Sequence, residues 1–195
     1  MTEERNSRLV YVPKLAPGAR FVVNAFRMLD CFSDAGEDSI TRGQLAVVSG
    51  VDISSLKTYL QTGISLGIVV EVPRVVRPGA VPLGYRLGTT PLTQENFEHA
   101  TSPAGTHTSL VKALWVLSCF TSPEQRTREN IAATVPLSSK IIADNLATLV
   151  VLGYLSVDPK RTNQRLNYRR TAKAVAGDKR WVGLVVASTE RAAAA

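Results

Sequence analysis

The stretch Val22-Val23-Asn24-Ala25-Phe26-Arg27-Met28-Leu29-Asp30-Cys31-Phe32 recurs 88 residues later as Leu110-Val111-Lys112-Ala113-Leu114-Trp115-Val116-Leu117-Ser118-Cys119-Phe120. Farther along the chain, Thr41-Arg42 recurs as Thr127-Arg128, now at an offset of 86. The two residues are lost between Phe120 and Thr127, where the sequence predicts a loop. Because a helix cannot lose two residues without rotating its apolar face, this pattern indicates one folding unit that is present twice.

The repeat divides the 195 residues of the chain into two units with shorter segments around them. We expect a first domain at 20–88 and a second domain at 108–175, each of a size that folds alone with a modest core. The remaining segments are an N-terminal arm at 1–19, a linker at 89–107 and a C-terminal tail at 176–195.

Composition predicts a protein of a reducing compartment that does not enter a membrane. No apolar run reaches the roughly 18 residues that a membrane-spanning helix requires. Met1 to Arg5 are polar, whereas a secretion signal needs an apolar core. Cys31 and Cys119 occupy equivalent positions beside apolar helix faces, which favours two buried thiols over a disulfide. We therefore expect a cytoplasmic location.

Each copy opens with an amphipathic helix, because its apolar residues recur at helical spacing. These residues are Val22, Ala25, Phe26, Leu29 and Phe32 in the first copy, and Leu110, Ala113, Leu114, Leu117 and Phe120 in the second. A second helix opens at Thr41, with Gln44 three residues on, and at Thr127, with Asn130 three residues on. This is the spacing of a capping box, in which each side chain satisfies a backbone N–H of the other residue.

A turn and a third helix follow in each copy, which is the helix-turn-helix pattern. Gly50 suits a left-handed turn because it has no Cβ, and Leu56 and Leu60 then form the inner face of the third helix. Pro136 stands where the first copy has Gly50. Because proline cannot adopt a positive φ, the turn of the second copy must differ.

A β-hairpin is predicted after the third helix of each copy. Its strands fall at 68–72 and 83–87 in the first copy, and at 154–157 and 166–170 in the second. The loop between each pair of strands is the candidate wing of that copy.

Two segments outside the repeat carry weaker patterns. Residues 93–98 predict one short acidic helix within the linker. The apolar, β-prone residues 179–186 predict either a strand that docks on one of the domains or a dimer contact.

Three helices followed by a two-stranded hairpin resemble the winged helix-turn-helix family, here in tandem, and the ending Leu149-Val150-Val151-Leu152-Gly153-Tyr154-Leu155 is similar to that of its transcription regulators. The resemblance covers roughly 20–88 and 108–172. It implies a mainly α fold with small β-hairpins (α+β). It also implies that the third helix of each copy lies in a major groove of DNA and that the wings contact the DNA backbone.

The resemblance implies three groups of DNA-binding side chains. The third helices contribute Ser54, Ser55, Lys57, Thr58 and Gln61 in the first copy, and Ser138, Ser139 and Lys140 in the second. The wings contribute Arg74, Arg77, Lys160, Arg161, Arg165 and Arg169. The second helices contribute Arg42 and Arg128, two cations near helix starts, where they oppose the helix dipole unless a phosphate is bound.

The positive charge of the chain is concentrated in its second half. Residues 1–100 hold ten basic and ten acidic residues, whereas residues 101–195 hold thirteen basic and six acidic residues, and the whole chain carries a net charge of +7. Within 155–180 there are eight basic and two acidic residues. Such a concentration favours a polyanionic partner.

These features predict a sequence-specific double-stranded DNA-binding protein, a transcriptional regulator that associates with the nucleoid when bound. The first alternative is a protein-interaction module of a chromosome-maintenance or replication complex, with a protein partner bound through the first domain or the tail. The second is a protein similar to a plasmid or phage replication initiator. Homodimer formation stays open. We expect no cofactor, no metal and no enzymatic activity, because the sequence holds no phosphate-binding glycine loop, metal cluster or paired nucleophile and base.

Overall fold

The computed structural model describes residues 13–34, 38–73, 83–100, 108–121, 125–158, 166–171 and 180–186. Within these ranges the chain forms eight helices and two antiparallel sheets of three strands each. This confirms the mixed α+β fold expected from the sequence. None of the helices in these ranges is both long enough and apolar enough to cross a membrane.

The two copies have the same order of elements. The first copy comprises α1 (Ala19–Asp34), β1 (Ile40–Thr41), α2 (Arg42–Ser49), α3 (Ile53–Leu66), β2 (Val69–Pro73) and β3 (Leu83–Leu87). The second comprises α5 (Thr108–Ser118), β4 (Arg126–Thr127), α6 (Arg128–Ala132), α7 (Ser139–Val151), β5 (Leu155–Val157) and β6 (Asn167–Arg170). Between the copies lies α4 (Gln94–Ala100), and α8 (Arg180–Val186) follows the second copy.

Each predicted hairpin is joined by a third strand of only two residues. The first sheet has the order β1-β3-β2, and its central Tyr85 faces Ile40 on one side and Glu71 on the other. The second sheet has the order β4-β6-β5, with Tyr168 in the equivalent central position. The hairpin strands lie within one residue of their predicted bounds. The two-residue strands were not predicted, because alternation of side chains needs a longer run to be recognised.

The predicted capping boxes are present at the starts of α2 and α6. The Thr41 N–H donates to Gln44 Oε1 at 2.9 Å, and the Gln44 N–H donates to Thr41 Oγ1 at 3.3 Å. Thr127 and Asn130 form the same pair of bonds at 3.0 and 3.2 Å. Both helices therefore start at equivalent residues, as the sequence predicts.

The turns of the two helix-turn-helix segments differ, as Pro136 requires. Gly50 ends α2 in the left-handed conformation, with φ of 66°. In the second copy α6 is only five residues long and is capped by Ala133 in the right-handed conformation, with φ of −76°. The turn that contains Pro136 is therefore longer and needs no residue with positive φ.

The first helices of the two copies meet in one continuous core. The predicted inner face of α1 is buried, and so is that of α5. Val111, Trp115 and Val116, on the other side of α5, are also buried, because α1, α4, α7 and α8 surround this helix. A helix that is apolar on all sides occupies the interior of a fold, and α5 has that place here.

The tail prediction was wrong in one respect: the described part of the tail is a helix and not a strand. In α8 the side chains of Trp181, Val182, Val185 and Val186 are buried, and their spacing places them on one face of a helix. The β-branched residues suggested a strand, but contact with α1 and α5 selects the helix. Local propensity is commonly overridden in this way by packing.

The short helix predicted in the linker is present as α4. It packs between α3 and α5, and the ring of Phe97 stacks on that of Trp115 at a centroid distance of 5.7 Å. Just before this helix, the Leu92 N–H donates to the Leu184 carbonyl of α8 at 2.8 Å. The segment between the copies thus contributes to the core.

The Asp30 carboxyl group joins the first copy to the second copy and to α8. The Tyr154 hydroxyl and the Trp181 Nε1–H both donate to Asp30 Oδ1. The rings of Phe26, Tyr154 and Trp181 make edge contacts around it, at centroid distances of 5.0 to 5.4 Å. The equivalent of Asp30 in the second copy is Ser118, which instead donates to Trp115 in its own helix. The junction is therefore asymmetric.

Removing the hydroxyl of Tyr154 tests this junction. We expect Tyr154→Phe to lower the free energy of unfolding by about 1–3 kcal/mol, since a hydrogen bond to a partly buried carboxyl group is lost. Urea denaturation measures the change. Tyr85→Phe is the matched control, because Tyr85 is also buried and its hydroxyl has no hydrogen bond within the described ranges. Equal losses in both variants would contradict the role of Asp30.

The same contact predicts a loss of stability in alkali. Burial, and then the hydrogen bond to Asp30, raise the pKa of Tyr154 well above its ordinary value of 10.0. The folded state therefore holds its proton where the unfolded chain releases it, so the free energy of unfolding falls as pH rises above about 10. Urea denaturation between about pH 8 and about pH 11 should show a smaller fall in Tyr154→Phe than in the wild type.

Burial also raises the pKa of Cys119, to about 12. Both proteins in this comparison keep that thiol, so the difference between their slopes isolates Tyr154. Identical slopes in the wild type and in Tyr154→Phe would contradict the prediction.

Candidate nucleic-acid interface

The third helices of the two copies start with different caps. Asp52 caps α3, and its carboxylate accepts the N–H groups of Ser54 and Ser55 at 2.9 and 3.4 Å as well as the Ser54 hydroxyl. These hydrogen bonds lower the pKa of Asp52, and the bond from the Ser54 hydroxyl has the largest effect. Ser138 caps α7 with a neutral hydroxyl that accepts the Ile141 N–H at 3.4 Å. The start of α3 is therefore anionic, and the start of α7 is not.

Six of the eight predicted side chains on the third helices are exposed. These are Ser54, Lys57, Gln61, Ser138, Ser139 and Lys140. Ser55 and Thr58 are only partly exposed, and Ser55 lines a groove between α3 and α1. The start of α7 therefore presents hydrogen-bonding side chains and a cation, and α3 presents a similar row behind its carboxylate cap.

The two arginines at the starts of the second helices are exposed in both copies. Arg128 pairs with the neighbouring Glu129 at 3.7 Å, with both side chains half exposed. Arg42 has no ion pair within the described part of the chain. Arg42 is therefore available to bind an anion, and Arg128 can bind one by leaving an exposed ion pair of a kind that contributes little to stability.

The arginines of the last strand point to opposite faces, as alternation predicts. Arg169 is exposed, and its Nε–H donates to Ser156 Oγ at 3.4 Å. Arg170 is partly buried, and its guanidinium donates to the Thr121 carbonyl at 2.7 Å. Arg170 therefore has a structural role, and Arg169 stays a candidate contact. The other predicted wing residues lie outside the described residues: Arg74, Arg77, Lys160, Arg161 and Arg165.

A groove runs between the first and third helices of each copy. In the second copy its volume is about 170 Å³, and Ala16, Pro17 and Gly18, which precede α1, line it together with Asp144 and Asn145 of α7. In the first copy the equivalent groove has a volume of about 610 Å³. The groove at this site of the fold is thus larger in the first copy than in the second, where residues that precede α1 line it.

The larger groove, which belongs to the first copy, is lined by polar and charged side chains. The Asn24 side chain hydrogen-bonds to the Tyr59 hydroxyl, and burial is the main cause that raises the pKa of Tyr59. Arg20, Arg27 and Asp52 line the same groove. None of these three forms an ion pair with another described residue.

Four large apolar side chains are exposed beside this groove, and sequence reasoning did not identify them. Their exposed fractions are 48% for Phe21, 84% for Val47, 64% for Val48 and 47% for Ile53. Phe21 lines the groove together with Gly50, and the other three flank the turn that contains Gly50. We call these four residues the turn patch.

The signal that would have found the turn patch is a position-by-position comparison of the copies. At the equivalent positions the second copy has Ser109, Ala133, Thr134 and Ser139. The apolar residues of the first copy therefore do not belong to the shared core of the repeat.

Comparison of the chain with protein-family models and with curated proteins finds no match. Functional inference for this chain therefore depends on the geometry described above.

The caps of the third helices can be tested by exchange. We expect Asp52→Ala to lower the melting temperature and Asp52→Ser, the cap of the second copy, to preserve most of it, since serine also accepts a backbone N–H. Because hydrogen bonds lower the pKa of Asp52, its contribution is present above its ordinary pKa of 3.8 and is lost as pH falls below that value.

Thermal unfolding near neutral pH and near pH 3 measures both effects. The difference between the wild type and Asp52→Ala should shrink in acid. A difference that does not change with pH would contradict a cap that depends on the ionised carboxylate.

Proposed function

We propose that this chain is a sequence-specific double-stranded DNA-binding protein, a transcriptional regulator built from two winged helix-turn-helix units. The order of elements in each copy supports this proposal: a helix, a short strand, two helices joined by a turn, and a hairpin that pairs with the short strand. Three helices followed by a hairpin are what the sequence resemblance implies, and the short strand is an addition to that pattern.

The observation that carries the proposal is the start of α7. Ser138, which is the neutral cap, is exposed there together with Ser139 and Lys140. Arg128 is exposed at the start of the preceding helix. In helix-turn-helix proteins the start of the third helix contacts base edges, and the preceding helix crosses the backbone. Serine and lysine provide the hydrogen bonds that base edges recognise.

The packing of α7 supports a role in base recognition, because buried side chains hold this helix in place. Leu146 and Leu149 are buried in the core. Asn145 and Thr148 line the groove of the second copy, which the residues before α1 also line. Side chains that read bases need a rigid support. The second half of the chain also carries the whole net positive charge, which favours binding to phosphates.

The first copy has a weaker case for DNA contact. Lys57 and Gln61 are exposed on α3, but the Asp52 carboxylate occupies the start of the helix, where it repels a phosphate. The turn patch lies directly beside it. We propose that the second copy supplies most of the affinity and that α3 adds a smaller contribution.

Selection from a random duplex library with the purified full chain tests the proposal. A sequence-specific protein enriches a defined site, and the enriched site then serves for binding measurements by fluorescence anisotropy at several salt concentrations. Enrichment of no site would overturn the proposal.

Two sets of substitutions should act differently on the enriched site. Replacing Ser139 and Lys140 with Ala should change which bases are preferred, since these side chains face the bases. Replacing Arg42 and Arg128 with Ala should weaken binding to all duplexes and flatten the slope of log affinity against log salt by about 2 units, because each phosphate contact contributes about 0.9.

Arg180→Ala is the matched control for the arginine variants. Arg180 is also exposed, but it starts α8, which packs on α1 and α5 and belongs to neither helix-turn-helix segment. An equal change of slope in this control would show that net charge alone acts, and would contradict specific phosphate contacts.

A protein-interaction module is the second candidate function, and the turn patch is the observation that favours it. Exposed apolar side chains that cluster on a folded protein commonly mark a surface for another protein. This candidate predicts no enriched duplex site, so the library selection separates it from the first.

A further inference from the structure

The turn patch packs little against its own chain, apart from the edge contact of the Phe21 ring with the Tyr59 ring at a centroid distance of 6.4 Å. Its valines lie at the end of α2, whose main contacts are with α1, α3, β1 and β3 of the same copy. Val47 and Val48 expose 84% and 64% of their surface and therefore contribute little to that packing. The buried residue of α2 is Leu45. The valines are thus available to an external partner.

Comparison of the copies indicates that these side chains serve a separate purpose. The second copy builds the same turn segment with Ala133, Thr134 and Ser139, so the fold does not require large apolar residues there. Exposed valine and isoleucine lower solubility in water. Such residues are retained on a surface most readily where another surface covers them.

The groove beside the turn patch carries charged groups of both signs. Arg20 and Arg27 provide two cations and Asp52 one carboxylate, all lining the groove beside the patch and without ion pairs among the described residues. In a contact with two-fold symmetry, if one residue of the first chain contacts another residue of the second chain, the reverse contact is formed as well. The arginines of one chain can then face the Asp52 carboxylate of the other, in both directions.

The net charges of the two halves also select this face for self-association. Residues 1–100 have equal numbers of basic and acidic residues, whereas residues 101–195 carry the net charge of +7. Two chains that met through their second copies would bring like charges together. Two chains that meet through their first copies avoid that repulsion.

From these observations we infer that the turn patch is a two-fold contact through which two copies of this chain form a dimer. The apolar side chains form its centre, and Arg20, Arg27 and Asp52 form its polar rim, the usual anatomy of a protein interface. The contact involves no residue of the second copy, so it leaves α7 and Arg128 of both chains accessible, but it covers the start of α3 and therefore competes with the smaller contribution of that helix to DNA binding. It does not depend on DNA binding.

Sedimentation velocity of the full chain without DNA, at protein concentrations between about 1 and 100 μM, measures the association. We expect a reversible monomer–dimer equilibrium. The key variant combines Val47→Ala, Val48→Thr and Ile53→Ser, which gives the first copy the residues of the second. Because each side chain is buried twice in the dimer, we expect the dissociation constant to rise at least about tenfold.

Val151→Ser is the matched control. Val151 is 47% exposed, the same fraction as Ile53, but it lies on α7, outside the patch. This variant should dimerise like the wild type. Circular dichroism verifies that each variant keeps its helix content, which is expected because the replaced side chains are exposed.

A second variant tests the rim without changing the apolar centre. Arg20→Glu combined with Arg27→Glu makes all three residues of the proposed rim acidic, so two chains should repel each other and the dimer should be weakened. Added salt should partly restore it, because salt screens exposed charges. A dimer that is unaffected by this variant would overturn the proposed rim.

A wild-type chain that stays monomeric over the whole range would overturn the inference, and would favour a different protein as the partner of the patch. A dimer that survives the triple substitution would overturn it as well, because the contact would then lie elsewhere. Neither outcome bears on the library selection, so failure of the dimer and failure of DNA binding are distinguishable.

Discussion

The hydrogen bonds that converge on Asp30 hold the whole arrangement of helices in place. Tyr154 and Trp181, which donate to this carboxyl group, lie 124 and 151 residues further along the chain. A buried polar group is stable only where such partners are present, so the first copy, the second copy and α8 must keep one mutual orientation. The three edge-packed rings around the carboxyl group strengthen this restriction, since aromatic pairs prefer defined geometries. If the two units of the repeat folded without contact, α1 would not need to keep a fixed orientation relative to the second copy.

This orientation explains why equal folding units have unequal grooves. With α1 fixed against α5 and α7, the residues that precede and begin α1 line the groove of the second copy. The described residues that line the groove of the first copy all belong to α1, α3 and the turn before α3, and this groove is larger. The asymmetry of the surface therefore follows from the asymmetry of the junction, where Asp30 of one copy corresponds to Ser118 of the other.

Much of the fold could be predicted from the sequence, because local patterns determine it. Helical spacing located α1 and α5, the Thr41–Gln44 pair located the start of α2, and Pro136 announced a different turn. The features that were missed depend on distant contacts. The two-residue strands exist only through pairing with a hairpin, and α8 is helical because it packs on α1 and α5. The sequence could not rank the side chains of α3 and α7 by exposure, because exposure depends on the neighbouring elements. Ser55, for example, lines the groove between α3 and α1.

The two copies also differ in the kind of physical force their surfaces use, and this difference supports a division of roles. The second copy exposes cations and hydroxyl groups, whose attraction to a polyanion weakens as salt rises. The first copy exposes valine, isoleucine and phenylalanine, whose burial is insensitive to moderate salt. A chain that binds DNA through one copy and itself through the other would thus respond to salt differently in the two associations. Salt would weaken the contacts to phosphate strongly, whereas in the dimer it would weaken only the charged rim of Arg20, Arg27 and Asp52 and leave the apolar centre unchanged.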